Sequence, residues 1–364
     1  MATGLYIHIP FCVKRCKYCD FCSSLKTADY QRSYINALLS EMAHISRTYP
    51  EVDIDSIYVG GGTPSSLYAG GISEIFEGIR QYFRVDSGAE ITIEANPESV
   101  RGRLAEFKEA GANRISLGVQ SLSDDTLSLI GRAHDSTVAK DAIEATLSTF
   151  SNVSVDVMLG LPMESIEGSV STVERLLDYP ITHVSAYSLK LERGTPLYVD
   201  RANYSFLSDD DQAKCYEEVV DLLRSRGIIR YEVSNFALEG YESRHNLKYW
   251  HRQDYIGLGA SAHSHIGEIR YHHTSDIDAY ILSPKRRYKR ALSIDDILAE
   301  YFMLGFRTTE GVRLSSLRDI GIDVFERYRA PLKKWNKCLN ITENSISIKD
   351  EYLYCMNQIA VDFI

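Results

Sequence analysis

The sequence predicts an α/β fold in which about six parallel strand–helix units form a barrel or partial barrel, followed by a smaller α+β domain. Three observations carry this. Short apolar, β-rich runs alternate with amphipathic helical stretches through the first two-thirds of the chain, the pattern of parallel βαβ units. The rhythm changes after Leu191. At 364 residues the chain is also too long for one small core, so a large domain with an appendage is expected.

The strands are read, in order, at LYIHI (5–9), SIYVG (56–60), ITIEA (91–95), RISLGV (114–119), VSVDVML (153–159) and HVSAYSLKL (183–191). Several are almost wholly apolar, as expected when both faces are covered. Helical patterns lie between them at 29–45, 72–83 and 99–111. A doubly wound open sheet is the competing architecture, and periodicity alone does not separate the two. Beyond Leu191, 208–227 reads as a capped helix ending at a glycine and 229–237 as one further strand. A polar, aromatic segment follows, RHNLKYWHRQDYIGLGASAHSH (244–265), and from about Pro284 a small domain with a long helix at 293–307 and a terminal hairpin from 344. The expected domains are thus 1–235, a connecting segment 236–284, and 285–364.

Composition narrows the function. Hydrophobic residues at 44% and charged residues at 25% are ordinary for a soluble globular protein. No apolar run is long enough to span a bilayer, and MATGLYIHIPFC has no secretory character, so a cytoplasmic protein is expected. A formal charge of −10 argues against a nucleic-acid partner.

Cysteine placement is the first chemical signal. Of seven cysteines, Cys12, Cys16, Cys19 and Cys22 fall within eleven residues, while Cys215, Cys338 and Cys355 are scattered and read as small hydrophobes. Reducing compartments do not keep structural disulfides, so a tight cluster points to metal or redox chemistry. Cys12-x3-Cys16-x2-Cys19 follows the first strand directly. A cubane cluster takes one thiolate per iron; three cysteines on one loop can hold three irons and leave the fourth open. An open iron can chelate the amino and carboxylate groups of a methionine moiety such as that of S-adenosylmethionine (SAM). Zinc is the rival, but it would use all four cysteines, and zinc ribbons split into two distant pairs. Chance clustering of buried thiols is the plain alternative.

The run YIHIPFCVKRCKYCDF resembles the opening of the radical-SAM family, and specifically the branch of oxygen-independent coproporphyrinogen oxidases and heme chaperones of HemW type. The resemblance extends from Leu5 to the terminal VDFI. It implies a radical-SAM partial (β/α)6 TIM-like barrel with a winged-helix-like C-terminal domain. It also implies a [4Fe–4S] cluster on Cys12, Cys16 and Cys19, and SAM contacts from Gly61, Gly62, Thr63, Glu94, Gln120, Arg132 and Asp156. Tyr6 and Tyr18 would pack around the cofactor, and Lys190 would contribute backbone. On the residues alone, the glycine run marks a turn at a strand end, where backbone can approach a ligand closely. Glu94 and Asp156 are carboxylates inside apolar runs, costly unless partnered; a loop-capping role weighs as much as a ligand role.

Two features separate the branches. True coproporphyrinogen oxidases carry an N-terminal arm, whereas eleven residues precede Cys12 here, and they have a cysteine where this chain has Phe21. His245-Asn246-x-x-Tyr249-Trp250 resembles the HNxxYW signature of the heme chaperones. An imidazole can ligate heme iron, and Tyr and Trp can stack on a porphyrin. His245 leads as ligand, with His251, His263, His265 and Cys22 as alternatives; the plain reading of Cys22 is a bystander. The expected function is a heme chaperone delivering heme to hemoproteins such as respiratory enzymes, acting at the inner face of the membrane as a monomer or cluster-dependent homodimer. SAM binding and slow reductive cleavage are expected to accompany it. The alternative is an oxygen-independent coproporphyrinogen III dehydrogenase, decarboxylating two propionates oxidatively. A third reading makes the C-terminal domain a docking module for a target protein.

Overall fold

The computed structural model describes residues 2–364. Six strands run parallel in chain order: β1 (Ala2–Ile9), β2 (Asp53–Gly61), β3 (Arg84–Ala95), β4 (Arg114–Gln120), β5 (Val153–Leu159) and β6 (His183–Ser188). Their order never reverses, so there is no topological switch point and the doubly wound alternative falls. Past β6 come β8 (Asn235–Ala237) and β7 (Ile229–Glu232), both antiparallel to their neighbours. At the other edge β9 (Tyr255–Leu258) joins β1 in parallel, followed by the antiparallel β10 (His263–Ile266), β11 (Ile269–His272) and β12 (Tyr288–Ala291). The resulting twelve-stranded sheet ends at β12 and β7, which do not pair with each other, so the barrel is partial and open.

The strands are not apolar on both faces as expected. Leu5, Ile7, Ile9, Ile57, Val59, Ile93, Ile115, Leu117, Val153 and Val155 point outward into one core with the helices. The alternate positions, including Tyr6, Tyr58, Glu94, Arg114, Ser116, Ser154, Asp156 and His183, line a polar lumen, linked by contacts such as Ser116–Asp156 and Ser154–His183. Period-2 alternation places each set by the pleat of the strand.

Helices cover the outer face. Ala28–Thr48 starts at Thr27, whose hydroxyl accepts from the Tyr30 amide, and buries Tyr34, Ile35, Leu38, Met42 and Ile45 at helical spacing. Asp209–Ser225 is capped by Ser208 as expected and buries Cys215, Val219, Val220 and Leu223. The helix read at 99–111 is broken: a short turn at Pro97–Val100 leads through 101–103 to Leu104–Ala110.

Two expectations near the C-terminus change. The single strand read at 229–237 is the hairpin β7–β8, and the segment expected as a connector, 236–284, supplies β9–β11 and places Phe236, Ile256, Leu258 and Tyr280 in the barrel core. The terminal hairpin is also different. Val312–Arg313 (β13), Leu339–Ile341 (β14) and Ser345–Ile348 (β15) form a small sheet in the order β13-β15-β14, after which 350–363 coils into short helices burying Leu353, Met356, Ile359 and Phe363. Helix Ile294–Gly305, opened by a Ser293–Asp296 capping box, packs Leu298 and Phe302 into this second core.

Candidate functional site

A cavity of about 400 Å3 opens at the C-terminal ends of the parallel strands, within the usual size range of small-ligand sites. One wall is the loop after β1. Ser24 N–H donates to the Pro10 carbonyl at 2.8 Å and Cys12 N–H to the Ser24 carbonyl at 3.2 Å, closing the loop on itself. Lys17 N–H reaches the Ile130 carbonyl at 2.9 Å, and the Leu197 amide donates to the Lys17 carbonyl at 2.9 Å, so two distant segments clamp its middle.

Cys12, Cys16 and Cys19 line this cavity; Cys22 does not. The Cys22 thiol turns into a neighbouring groove and donates to the Ser275 carbonyl at 3.1 Å. Three thiols thus line the cavity while the fourth turns away, the number of donors an open cubane would use and one fewer than a four-cysteine zinc site needs. Among the described residues no three His, Cys, Asp or Glu side chains converge on a point as a single metal ion requires. Burial pushes the Cys12 and Cys19 thiols above their ordinary range; a bound cation would supply the charge that favours the thiolates.

The facing wall is a hydrogen-bonded chain across three strand ends. Thr63 Oγ1 lies 3.5 Å from Cys12 Sγ, Asn96 Nδ2 donates to Thr63 Oγ1 at 3.1 Å, and Arg132 Nη2 donates to Asn96 Oδ1 at 2.9 Å and to the Gly118 carbonyl at 2.6 Å. Arg132 Nη1 then returns to Cys16 Sγ at 3.5 Å, while its Nε is buried without a partner among the described residues. Asn96 was not singled out in the sequence; an Asn ahead of Pro97 at a strand end was its only local signal. Gly62 sits so close to the loop that a Cβ would lie 2.7 Å from the Phe11 carbonyl oxygen and 3.0 Å from Cys12 Sγ, so this position excludes a side chain.

Two carboxylates form the floor. Glu94 accepts from Tyr58 Oη at 2.7 Å and from the Gly61 amide at 3.1 Å. Burial outweighs these bonds and raises its pKa to about 7. Asp156 accepts from Ser116 Oγ at 3.1 Å, and burial raises it as well. Neither forms an ion pair among the described residues, so both are placed to meet a cationic ligand. Gln120 closes the site from the end of β4 with φ of 69°, a left-handed conformation that costs a non-glycine residue about 1–2 kcal/mol.

Of the residues expected at a SAM site, Tyr18, Gly61, Gly62, Thr63, Glu94, Gln120, Arg132, Asp156 and Lys190 line this cavity together with the three cysteines. Lys190 stands at the rim, its exposed ammonium paired with Glu192 at 2.6 Å. Tyr6 lies one layer deeper, bonded to His8 Nδ1 at 2.9 Å.

The HNLKYW segment is not there. It forms the helix Arg244–Trp250, capped by Ser243 and by Glu90, whose carboxylate accepts the Arg244 and His245 amides at 3.0 Å each. This helix closes the opposite end of the lumen. His245 is fully buried, with Nδ1 3.0 Å from Ser56 Oγ and Nε2 2.8 Å from Tyr249 Oη. The expected leading heme ligand therefore has both ring nitrogens engaged and no exposed edge at its place in the lumen. Trp250 lies under the Arg307 guanidinium at 4.7 Å, and the Asn246 backbone N–H donates to the capping Ser243 hydroxyl at 3.3 Å. Among the alternatives, His265 is buried on the Gln253 carbonyl and His251 pairs with Glu310 at 3.2 Å.

Comparison with known proteins places these features in context. Residues 6–176 match the model of the radical SAM superfamily. The chain is 36% identical over 84% of its length to the heme chaperone HemW of Buchnera aphidicola, covering 82% of that protein. It is 35% identical to HemW of Escherichia coli, over 84% of this chain and 83% of the relative. It is 36% identical to the mitochondrial radical S-adenosyl methionine domain-containing protein 1 of Mus musculus, over 86% and 70%. Its fold matches that of the coproporphyrinogen III oxidase HemN of Escherichia coli with a TM-score of 0.86, over 100% of this chain and 90% of the other, at 20% identity.

Proposed function

The chain belongs to the radical SAM superfamily and, within it, to the family of the heme chaperones HemW, and from that premise we propose that it binds heme and passes it to apo-hemoproteins. The observation that carries this reading is the likeness to heme chaperones over most of the chain, supported by a cavity lined by three cysteines and by most of the residues expected to contact SAM. The fold match to HemN, at 20% identity, concerns the fold alone.

Cys12, Cys16 and Cys19 would hold the cluster, and the strand-end residues would hold SAM. When bound, the pair supplies one-electron reduction of the sulfonium. The chain's own contribution is positioning. The Thr63–Asn96–Arg132 chain fixes the cysteine loop against the strand ends, the glycine backbone at 60–62 leaves room at the loop, and Glu94 and Asp156 offer negative charge to a cationic ligand. Arg132, with its free Nε, suits a carboxylate.

We place the recipients among respiratory hemoproteins, reached by peripheral contact at the inner face of the membrane; no helix among the described residues is long and apolar enough to cross one. A cluster-dependent homodimer and target docking by residues 285–364 belong to the same proposal.

The test is anaerobic. The cluster is reconstituted and heme titrated by absorption, with transfer to an apo-hemoprotein as a second readout. Saturable, near-stoichiometric binding followed by transfer is expected. No binding, or formation of a vinyl-bearing product from coproporphyrinogen, would overturn the reading.

A further inference from the structure

The antiparallel edge of the sheet carries rings the site above does not use. His263 on β10 is the direct cross-strand neighbour of His272 on β11, which is in turn opposite Tyr288 on β12. The three rings stand nearly parallel. His263 and His272 are 5.5 Å apart at 22°, and His272 and Tyr288 are 5.0 Å apart at 18°. Both histidines are exposed, and Tyr288 is 45% exposed. Arg286 lies against this ladder, its guanidinium 5.5 Å from the Tyr288 ring centre. Arg290 shares the strand face with Tyr288, two residues on.

We propose that this ladder is a heme-docking surface, with His263 or His272 ligating the iron; the inference rests on the heme-chaperone reading and gives that reading an accessible site. An imidazole's lone pair lies in its ring plane. Rings stacked face to face across strands present edges rather than faces to solvent, and an imidazole ligates through its edge. A heme bound at such an edge has its macrocycle perpendicular to the imidazole, so it lies flat across the ladder. The second imidazole and Tyr288 then meet the porphyrin edge to face, the arrangement aromatic pairs favour. Arg286 stands at the rim, where a cation pairs with a propionate; Arg290 is already paired with Asp296. Desolvation, and next the neighbouring His272, hold His263 below the ordinary imidazole range, so it is a neutral donor near pH 7.

A chelated divalent ion is the competing occupant. Two imidazoles on one tetrahedral ion bring their nitrogens to roughly 3.4 Å, given metal–nitrogen bonds of about 2.1 Å. Parallel rings 5.5 Å apart do not converge in that way. His245, by contrast, has no free nitrogen.

The experiment titrates ferric heme into the full chain and its variants, following the Soret band and the iron spin state. His263→Ala/His272→Ala should weaken binding at least tenfold and remove the imidazole-ligated signature, while either single variant retains it through the other ring. Arg286→Glu and Tyr288→Ala should weaken binding a few-fold, with melting temperatures unchanged throughout. If wild type binds heme and the double variant binds it with the same affinity and spectrum, the ladder is not the site and the chaperone reading stands. If wild type takes no heme, both fall. Tight Ni(II) binding that needs both histidines, with heme affinity unaffected by their loss, would make the ladder a metal-ion site and overturn the proposal.

Discussion

The two ends of the barrel lumen hold similar side chains to opposite ends. At the C-terminal end Glu94 and Asp156 are buried with no ion pair among the described residues, and the Arg132 Nε, beside two thiols, has no hydrogen-bond partner among them. At the other end His245, Ser56, Tyr249 and Glu90 close their hydrogen bonds on one another. Tyr58 joins the two: its hydroxyl donates to Glu94, and its ring stands 5.4 Å from that of His245. Burial alone thus does not mark a binding site. A buried polar group left short of partners invites a ligand, whereas one whose partners are all internal holds the fold together.

Substitutions on each side sharpen that contrast. The largest effect is expected at the cysteines. Cys12→Ala, Cys16→Ala or Cys19→Ala should each cut iron retained after anaerobic reconstitution by at least about tenfold, while Cys22→Ala leaves iron content unchanged; equal losses in all four would break the three-ligand assignment. Next comes His245→Ala, which deletes a buried ring and leaves Ser56 and Tyr249 unpaired. It should destabilise the protein by about 2–4 kcal/mol in urea unfolding, with any heme that binds keeping its spectrum. A stable variant that has lost its heme ligand would reverse the assignment of this end.

Arg132→Lys keeps the charge but loses the planar fork, and SAM affinity by calorimetry should fall about tenfold. The smallest effect is a pH dependence. Glu94 titrates near 7 in the folded protein, above its unfolded value of 4.5. Its contribution to stability is therefore complete below about pH 4.5 and lost as pH rises through about 7. A cationic ligand favours the ionised form, so SAM affinity should rise with pH and level off above about 7. Glu94→Gln should flatten both profiles; an unchanged SAM profile in that variant would remove Glu94 from the site.

Much of this was legible in the sequence, for identifiable reasons. The six parallel strands were read at their positions because each apolar run is bounded by polar turns, and the cysteine loop because its spacing is local. Tyr58 and Asn96 were not, since their roles arise only when neighbouring strands are brought into register. The β7–β8 hairpin was missed because its only turn signal, Ser234-Asn235, is short and lacks a glycine or proline. The end of the chain was misread although Leu353, Met356, Ile359 and Phe363 recur at helical spacing, because the SISI strand before them dominated the pattern. The HNLKYW helix shows a different limit: its residue types suit a porphyrin, yet the fold folds them inward, while the exposed rings at 263, 272 and 288 come together only through strand pairing.

The alternation along β1–β6 has one more implication. Leu5, Ile7 and Ile9 hold the helices, whereas Gly4, Tyr6 and His8, one step out of phase, belong to the lumen. Architecture and chemistry are therefore inscribed on separate residues of the same strand. The ligand-facing end of the lumen can be rewritten by substitution while the outer core and the closed His245 end keep their packing, so a lineage built on this barrel can exchange one chemistry for another without first losing its shape.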